Sequence, residues 1–132
     1  MRKQAAGTFE VKVLPLPADE GVDVGGFGRL SIDKQFSGAL TGTSKGQMLA
    51  GMTVVEGSGA YVALERVTGS LNGRTGSFVL QHSGTMSGGK QELRITVVPD
   101  SGTGELVGLT GAMKIIIEGG KHSYEFEYSS GG

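Results

Sequence analysis

Glu65 and His82 are the two residues of this sequence best suited to chemistry. Each stands in a run where apolar and polar residues alternate, and each occupies an apolar position of its run. Histidine titrates near neutral pH, and a neighbouring carboxylate stabilises its charged form. If the two side chains meet inside the protein, we expect them to act as a general acid–base pair.

Five further residues are expected to complete such a site. Tyr61, with Gln81 or His122, is expected near a mouth as a hydrogen-bond donor, and Tyr124 and Phe78 are expected to contact a bound ligand. The sequence has two histidines and no cysteine, so a metal site would need a mixture of histidine and carboxylate ligands. We therefore expect neither a metal nor another cofactor.

Two short matches to catalytic motifs lack the structural context that their chemistry requires. Gly42–Gly46 fits the G-x-S-x-G pattern, which needs a strand that turns into a helix on a large α/β sheet. Ser31 and Lys34 fit the S-x-x-K pattern, but residues three apart on a strand point to opposite faces. This lysine could not activate this serine, so neither motif is expected to be catalytic.

The distribution of glycine determines which elements can carry the candidate residues. Glycine fills 25 of the 132 positions, and a glycine inside a helix costs about 1 kcal/mol relative to alanine. The glycine-free runs are short and alternate with a period of two, as Leu93, Ile95 and Val97 do. This pattern predicts an all-β protein with about eight strands, near 8–14, 28–37, 46–56, 60–70, 75–86, 91–99, 110–118 and 121–128.

Three two-residue turns suit type I′ hairpins and therefore predict the register of the strands they join: Asn72-Gly73, Gly88-Gly89 and Gly119-Gly120. The first turn places Glu65 opposite Leu80, diagonal to His82 and within reach of a long side chain. A one-residue bulge near 74–76 is the alternative, and it would put Gln81 beside Glu65 instead.

One face of the predicted strands is apolar almost throughout, so the strands must close on themselves. We predict a closed antiparallel β-barrel of about eight strands, lipocalin-like in outline, as a single domain over residues 1–132. Such a barrel is either filled by its own side chains or holds one small ligand. The opposite face keeps Val62, Leu64, Val79 and Val98, from which we expect a homo-oligomer.

The charge balance limits the partners. Twelve basic and thirteen acidic residues give a net charge of −1, without the cationic excess that nucleic acids or anionic membranes attract. We expect a small apolar molecule as partner, no nucleic acid and no membrane. No apolar segment follows Met1–Gln4 as it would in a signal peptide, which favours the cytoplasm.

Long stretches of the chain resemble family 3224 of the bacterial domains of unknown function. The resemblance rests on Gly59–Gly69, Gly76–Met86, Val97–Leu106, Gly120–Glu125, Gly28–Leu30 and Asp33-Lys34, and it covers nearly the whole chain. It implies a barrel similar to that of allene oxide cyclase. The family has no established activity, so the resemblance implies no catalytic residues.

Two functions fit these observations. The first is a cofactor-independent cyclase or isomerase that acts on a mostly apolar substrate in the barrel lumen, by holding a reactive chain in a productive conformation. The second is a binding or structural barrel without chemistry, such as a carrier or an assembly unit. In that case Glu65 and Arg66 form ion pairs, and Gln81 and His82 satisfy backbone groups.

Overall fold

The structure is a computed structural model, which describes residues 2–17 and 27–130. These residues form eight antiparallel strands that close into a barrel in chain order. The strands are β1 (Lys3–Pro15), β2 (Phe27–Gly38), β3 (Leu40–Met52), β4 (Gly59–Leu71), β5 (Arg74–Ser87), β6 (Lys90–Val97), β7 (Thr110–Glu118) and β8 (Lys121–Ser129). The prediction of an all-β, closed antiparallel barrel is confirmed.

The described residues contain one short 3₁₀ helix, Gly104–Leu106, between β6 and β7. Within that part of the chain, no helix is long and apolar enough to cross a membrane.

The three turns have the conformation that their sequences predict. Both residues of each turn have positive φ, as at Asn72 (49°) and Gly73 (87°). Glu65 consequently pairs with Leu80, and Ala63 pairs with His82. The alternative register, with a bulge that turns Gln81 inward, does not occur.

Two strands extend beyond their predicted limits towards the N-terminus. β1 begins at Lys3 because its first residues pair with β8. β3 begins at Leu40, because Gly42 lies inside the strand instead of interrupting it. Gly42 pairs with Gly69, and a Cβ on either glycine would lie 2.7 Å from the Cα of the other. Glycine is needed here for the close approach of two backbones.

The two ends of the barrel differ. The closed end carries the Asn72-Gly73 turn and the segment 98–109, and Leu106 and Leu109 from that segment belong to the barrel core. The open end carries the turn over 53–58 and the two glycine-glycine turns. Phe78 stacks on Phe126 in the core near the closed end, with ring centroids 5.8 Å apart. This packing fills that half of the lumen with side chains.

The shortest ladder between neighbouring strands of the barrel joins β6 and β7. Their ladder contains two residue pairs, Ile95 with Met113 and Thr96 with Ala112, whereas β4 and β5 pair along their whole length. Leu93 alternates in phase with the buried Ile95 and Val97 and lies near Gly84, but it remains 38% exposed. It is exposed because the ladder with β7 stops before reaching it.

Candidate functional site

Glu65 and His82 meet in the middle of the barrel. Their positions are diagonal across the β4–β5 ladder, and His82 Nε2 lies 2.5 Å from Glu65 Oε2. Both residues are buried, with 1% and 4% of their surfaces exposed. The contact follows from the register set by the Asn72-Gly73 turn and from the alternation of inward and outward residues along each strand.

Two further polar side chains, Lys34 of β2 and Ser44 of β3, complete the surroundings of the Glu65 carboxylate. Lys34 Nζ donates to Glu65 Oε2 at 2.9 Å, and Ser44 Oγ donates to Oε1 at 2.7 Å. Lys34 Nζ also lies 5.0 Å from the centroid of the Phe9 ring and 5.8 Å from that of Phe36. Each oxygen of the carboxylate is therefore held, and a buried ammonium balances its charge.

Sequence reasoning missed Lys34 and Ser44 as members of the site. Lys34 belongs to the S-x-x-K match and Ser44 to the G-x-S-x-G match, neither of which was expected to be catalytic. Both contact Glu65 because they point into the barrel from neighbouring strands. The signal for Lys34 was its place as the one charge in the inward series Ile32, Lys34, Phe36. Ser44 fell outside the predicted third strand, so its inward direction could not be predicted.

Two glycines make room for the network. Gly46 pairs with Glu65, and a Cβ there would lie 2.6 Å from the Glu65 Cα. Gly84 pairs with Tyr61, and a Cβ there would lie 2.7 Å from the Tyr61 ring. The large side chain at each position occupies the space that the glycine opposite leaves open.

Tyr61 connects the buried pair to the open end. Its hydroxyl lies 3.2 Å from His82 Nδ1. An ionised carboxylate only accepts hydrogen bonds, so Nε2 carries the hydrogen of the His82–Glu65 contact. In the neutral ring Nδ1 is then the acceptor, and the Tyr61 hydroxyl donates to it. The hydrogen bonds run without interruption from Glu65 through His82 to Tyr61.

The electrostatics of the network keep Glu65 ionised and Tyr61 protonated. Burial by itself raises the pKa of the Glu65 carboxyl, but the hydrogen bond from His82 and the positive charge of Lys34 outweigh it and lower the pKa to about 2. Burial raises the pKa of the Tyr61 hydroxyl, and the negative charge of Glu65 raises it further. Tyr61 therefore holds its proton unless another group accepts it.

A cavity of about 200 Å³ lies beside Tyr61 at the open end of the barrel. Its other walls include Met48, Ala50, Met52 and Met86, so it is largely apolar. This volume is smaller than the range of about 300–1,000 Å³ that drug-sized ligands occupy. Tyr61 is the member of the hydrogen-bonded network that lines this cavity.

The remaining predicted site residues do not join the network. Gln81 pairs with Leu64 on the outer face and is exposed, so it is not a lumen residue. His122 is half-buried and packs against Phe9, with ring centroids 5.3 Å apart. Phe78 belongs to the packed core near the closed end.

Tyr124 has a structural role in the barrel wall. Its hydroxyl accepts a hydrogen bond from the Leu40 backbone N–H at 2.9 Å and lies 2.9 Å from the Ser37 carbonyl. Gly7 and Gly38 leave room for it, since a Cβ on either would lie within 3.3 Å of the hydroxyl. The hydroxyl is therefore hydrogen-bonded to the backbone at the end of β2 and at the start of β3.

Among residues 2–17 and 27–130, no group of three or more histidines and acids is placed to hold a metal ion. The Glu65 carboxylate, to which a metal would bind first, has Lys34 as its positive neighbour. The donor atoms that surround it are an ammonium, a hydroxyl and an imidazole N–H.

The fold and site together define a small barrel with one packed end, one open end and a buried polar network between them. The chain belongs to the family described as "Protein of unknown function (DUF3224)", whose model matches residues 5–128. It is similar to a protein of unknown function from the DUF3224 family of Shewanella oneidensis MR-1, whose crystal structure shows 48% sequence identity and a TM-score of 0.93. The likeness covers 100% of this chain and 99% of that one. No curated protein matches the chain. The family predicted from the sequence is confirmed.

Proposed function

We propose that the open end binds a small, mostly apolar molecule that carries one hydroxyl or carbonyl group, and that Tyr61, His82 and Glu65 exchange a proton with that group. The continuous hydrogen bonding from the buried carboxylate to a tyrosine of the cavity wall carries this proposal. The reaction class is a cofactor-independent isomerisation or cyclisation, in which a confined substrate gains or loses a proton at oxygen.

The proton moves along the network in one balanced step. A ligand hydroxyl gives its proton to the Tyr61 oxygen, while the Tyr61 proton passes to His82 Nδ1. The imidazolium that forms lies beside the ionised Glu65, which stabilises its charge. The reverse step returns the proton to the ligand oxygen. Lys34 and Ser44 position Glu65 and do not touch the ligand.

A non-catalytic barrel is the second candidate, and one observation favours it. Both oxygens of Glu65 are already satisfied by Ser44, Lys34 and His82, which is what a purely structural polar network requires. In that case the open end is a carrier site or is not used at all. A binding measurement and an exchange measurement separate these outcomes.

Methionine methyl NMR measures the binding, with cyclohexanol, cyclohexanone and hexanoic acid as probes. We expect shifts at Met52 and Met86 of the cavity, while the buried Met113 stays unchanged as an internal control. The absence of a shift at both Met52 and Met86 would contradict ligand binding at the open end and favour a structural barrel.

Deuterium exchange at the α-carbon of cyclohexanone in D₂O measures the proton transfer, because the network protonates the carbonyl oxygen while a solvent water removes the α-proton. A deuteron from solvent is added to the α-carbon when the enol hydroxyl gives its proton back to Tyr61. We expect exchange above the buffer rate in the wild type, a loss of about 10²-fold or more in Tyr61→Phe, and no loss in the control Tyr128→Phe at the closed end. Tyr128 accepts a hydrogen bond from Asn72 and is far from the cavity in register. Binding without exchange would assign the barrel to the carrier class.

A further inference from the structure

The outer face of β3, β4 and β5 exposes apolar side chains beside an elongated groove. Leu49, Val62 and Leu64 are 42%, 53% and 56% exposed, and they line a concavity of about 710 Å³. This volume is within the range of about 300–1,000 Å³ for ligand sites. The groove lies outside the barrel wall, whereas the cavity at Tyr61 lies at the mouth of the lumen.

Two cations stand together at one end of this apolar surface. Lys45 and Arg66 are directly opposite each other in the β3–β4 ladder, and both are exposed. Like charges at opposite positions destabilise a sheet. Asp33 faces Lys45 from β2, but the other cross-strand neighbour of Arg66 is Val79. An anion placed between Lys45 and Arg66 would remove this repulsion.

The cations and the apolar side chains form one continuous strip along the strands. Leu64 follows Arg66 on the same face at a distance of two residues, and Val62 and Leu49 form the next cross-strand pair. The Lys45–Arg66 pair and the Leu49–Val62 pair are four residues apart, which corresponds to about 13 Å along a strand. A third cation, Arg29, lines the groove beside Leu49 at the other end, where it donates to the Pro17 carbonyl. A charged head between Lys45 and Arg66 and an extended alkyl chain along the rest would match this strip.

A second copy of the chain fits this face poorly. In a two-fold contact, the row with Lys45 and Arg66 meets either itself or the row that contains Val62 and ends at Arg94. In the first contact, each copy brings the cations Lys12, Lys45 and Arg66 but only one acid, Asp33; the second contact offers Lys45 and Arg66 no acid. A bilayer is also a poor partner for this face. Apolar residues that enter a membrane protrude from the protein surface, whereas Leu49, Val62 and Leu64 line a concavity.

We propose that this groove binds a soluble single-chain anionic amphiphile, with its head between Lys45 and Arg66 and its chain along Leu64, Val62 and Leu49. The proposal does not rest on the proposed function, although His82 of the network and Met48 of the open-end cavity also line the groove.

An NMR titration of the amides with sodium decanoate tests the proposal. We expect saturable shifts over 45–49 and 62–66, at least about tenfold weaker binding of acetate and of the neutral octyl glucoside, and about tenfold or greater loss of affinity in Lys45→Gln/Arg66→Gln. The matched control Lys114→Gln/Lys121→Gln removes two lysines that face Glu125 and Glu118 elsewhere on the barrel, and it should retain wild-type affinity.

Four results would overturn the proposal. Decanoate could shift only Met52 and Met86, which line the open-end cavity and not the groove, or both double variants could lose affinity equally. The protein could sediment with phosphatidylglycerol vesicles in a manner that depends on Arg66, which would indicate a membrane surface. Light scattering could show a dimer that Leu64→Ser converts to a monomer, which would assign the face to self-association.

Discussion

The closed and open ends of the barrel use the same strands for opposite purposes. At the closed end, Leu106 and Leu109 pack with stacked aromatic rings in the hydrophobic core. At the open end, Met52 is 54% exposed, and Tyr61 and the methionines surround a cavity instead of filling it. The packed core therefore occupies one half of the barrel and the candidate ligand cavity the other, with the Lys34–Glu65–His82 network as the boundary.

Truncation of a core aromatic at the closed end should have the largest effect on stability. Phe126→Ala removes a buried ring that stacks on Phe78 and Tyr128, and we expect a loss of about 3–5 kcal/mol in the free energy of unfolding. Met52→Ala at the open end should cost less than about 1 kcal/mol, because Met52 is already exposed. Urea denaturation measures both, and equal losses would contradict the division between the ends.

Removal of one charge from the Lys34–Glu65–His82 network should lower the free energy of unfolding nearly as much. Lys34→Met leaves the Glu65 carboxylate buried without its cation, and we expect a loss of about 3–5 kcal/mol. The double variant Lys34→Met/Glu65→Met removes both charges and should be more stable than Lys34→Met alone. A double variant that loses the sum of the two single effects would show that Lys34 and Glu65 are not coupled.

Acid should weaken the protein through Glu65. Its pKa is lowered to about 2 in the folded state from 4.5, so its contribution is fully present above the unfolded pKa and is lost as the pH falls from about 4.5 towards 2. The contribution is on the order of 3 kcal/mol. Urea denaturation across this pH range should show a steeper decline for the wild type than for Glu65→Gln. Parallel curves would mean that Glu65 does not cause the decline.

Two tyrosine hydroxyls should differ in their importance for stability. Tyr124→Phe leaves the buried Leu40 N–H without an acceptor and should cost about 1–3 kcal/mol. Tyr61→Phe at the open end loses a half-buried contact with His82 and should cost less than about 1 kcal/mol. Thermal unfolding of the two variants provides the comparison. A larger loss of stability in Tyr61→Phe than in Tyr124→Phe would mean that the Tyr61 hydroxyl has a structural role at the open end.

Much of the fold and half of the candidate site could be predicted from the sequence, because the relevant contacts lie within hairpins. A two-residue turn with two positive-φ positions joins strands in one register, so Asn72-Gly73 alone brought Glu65 and His82 together. The same logic predicted the pairing of Ile115 with Tyr124 through Gly119-Gly120.

Lys34 and Ser44 could not be predicted, because their approach to Glu65 depends on two successive ladders and on the closure of the barrel. The chain between β2 and β3 has no two-residue turn signal, and Gly42 and Gly46 resemble strand breakers until Gly69 and Glu65 lie opposite them. The assignment of a cavity to one end and a packed core to the other depended on where the segment 98–109 folds.

The amino-acid sequence by itself determined the all-β class, three hairpin registers and the inward direction of Glu65 and His82. Alternation and turn conformation are local properties, and a few neighbouring residues suffice to specify them. Only the tertiary structure decided that Lys34 balances the charge of Glu65, and that Tyr61 extends the network while Gln81 and His122 do not. These contacts join residues that are distant in sequence, and the residues come together only when the eight strands close into a barrel.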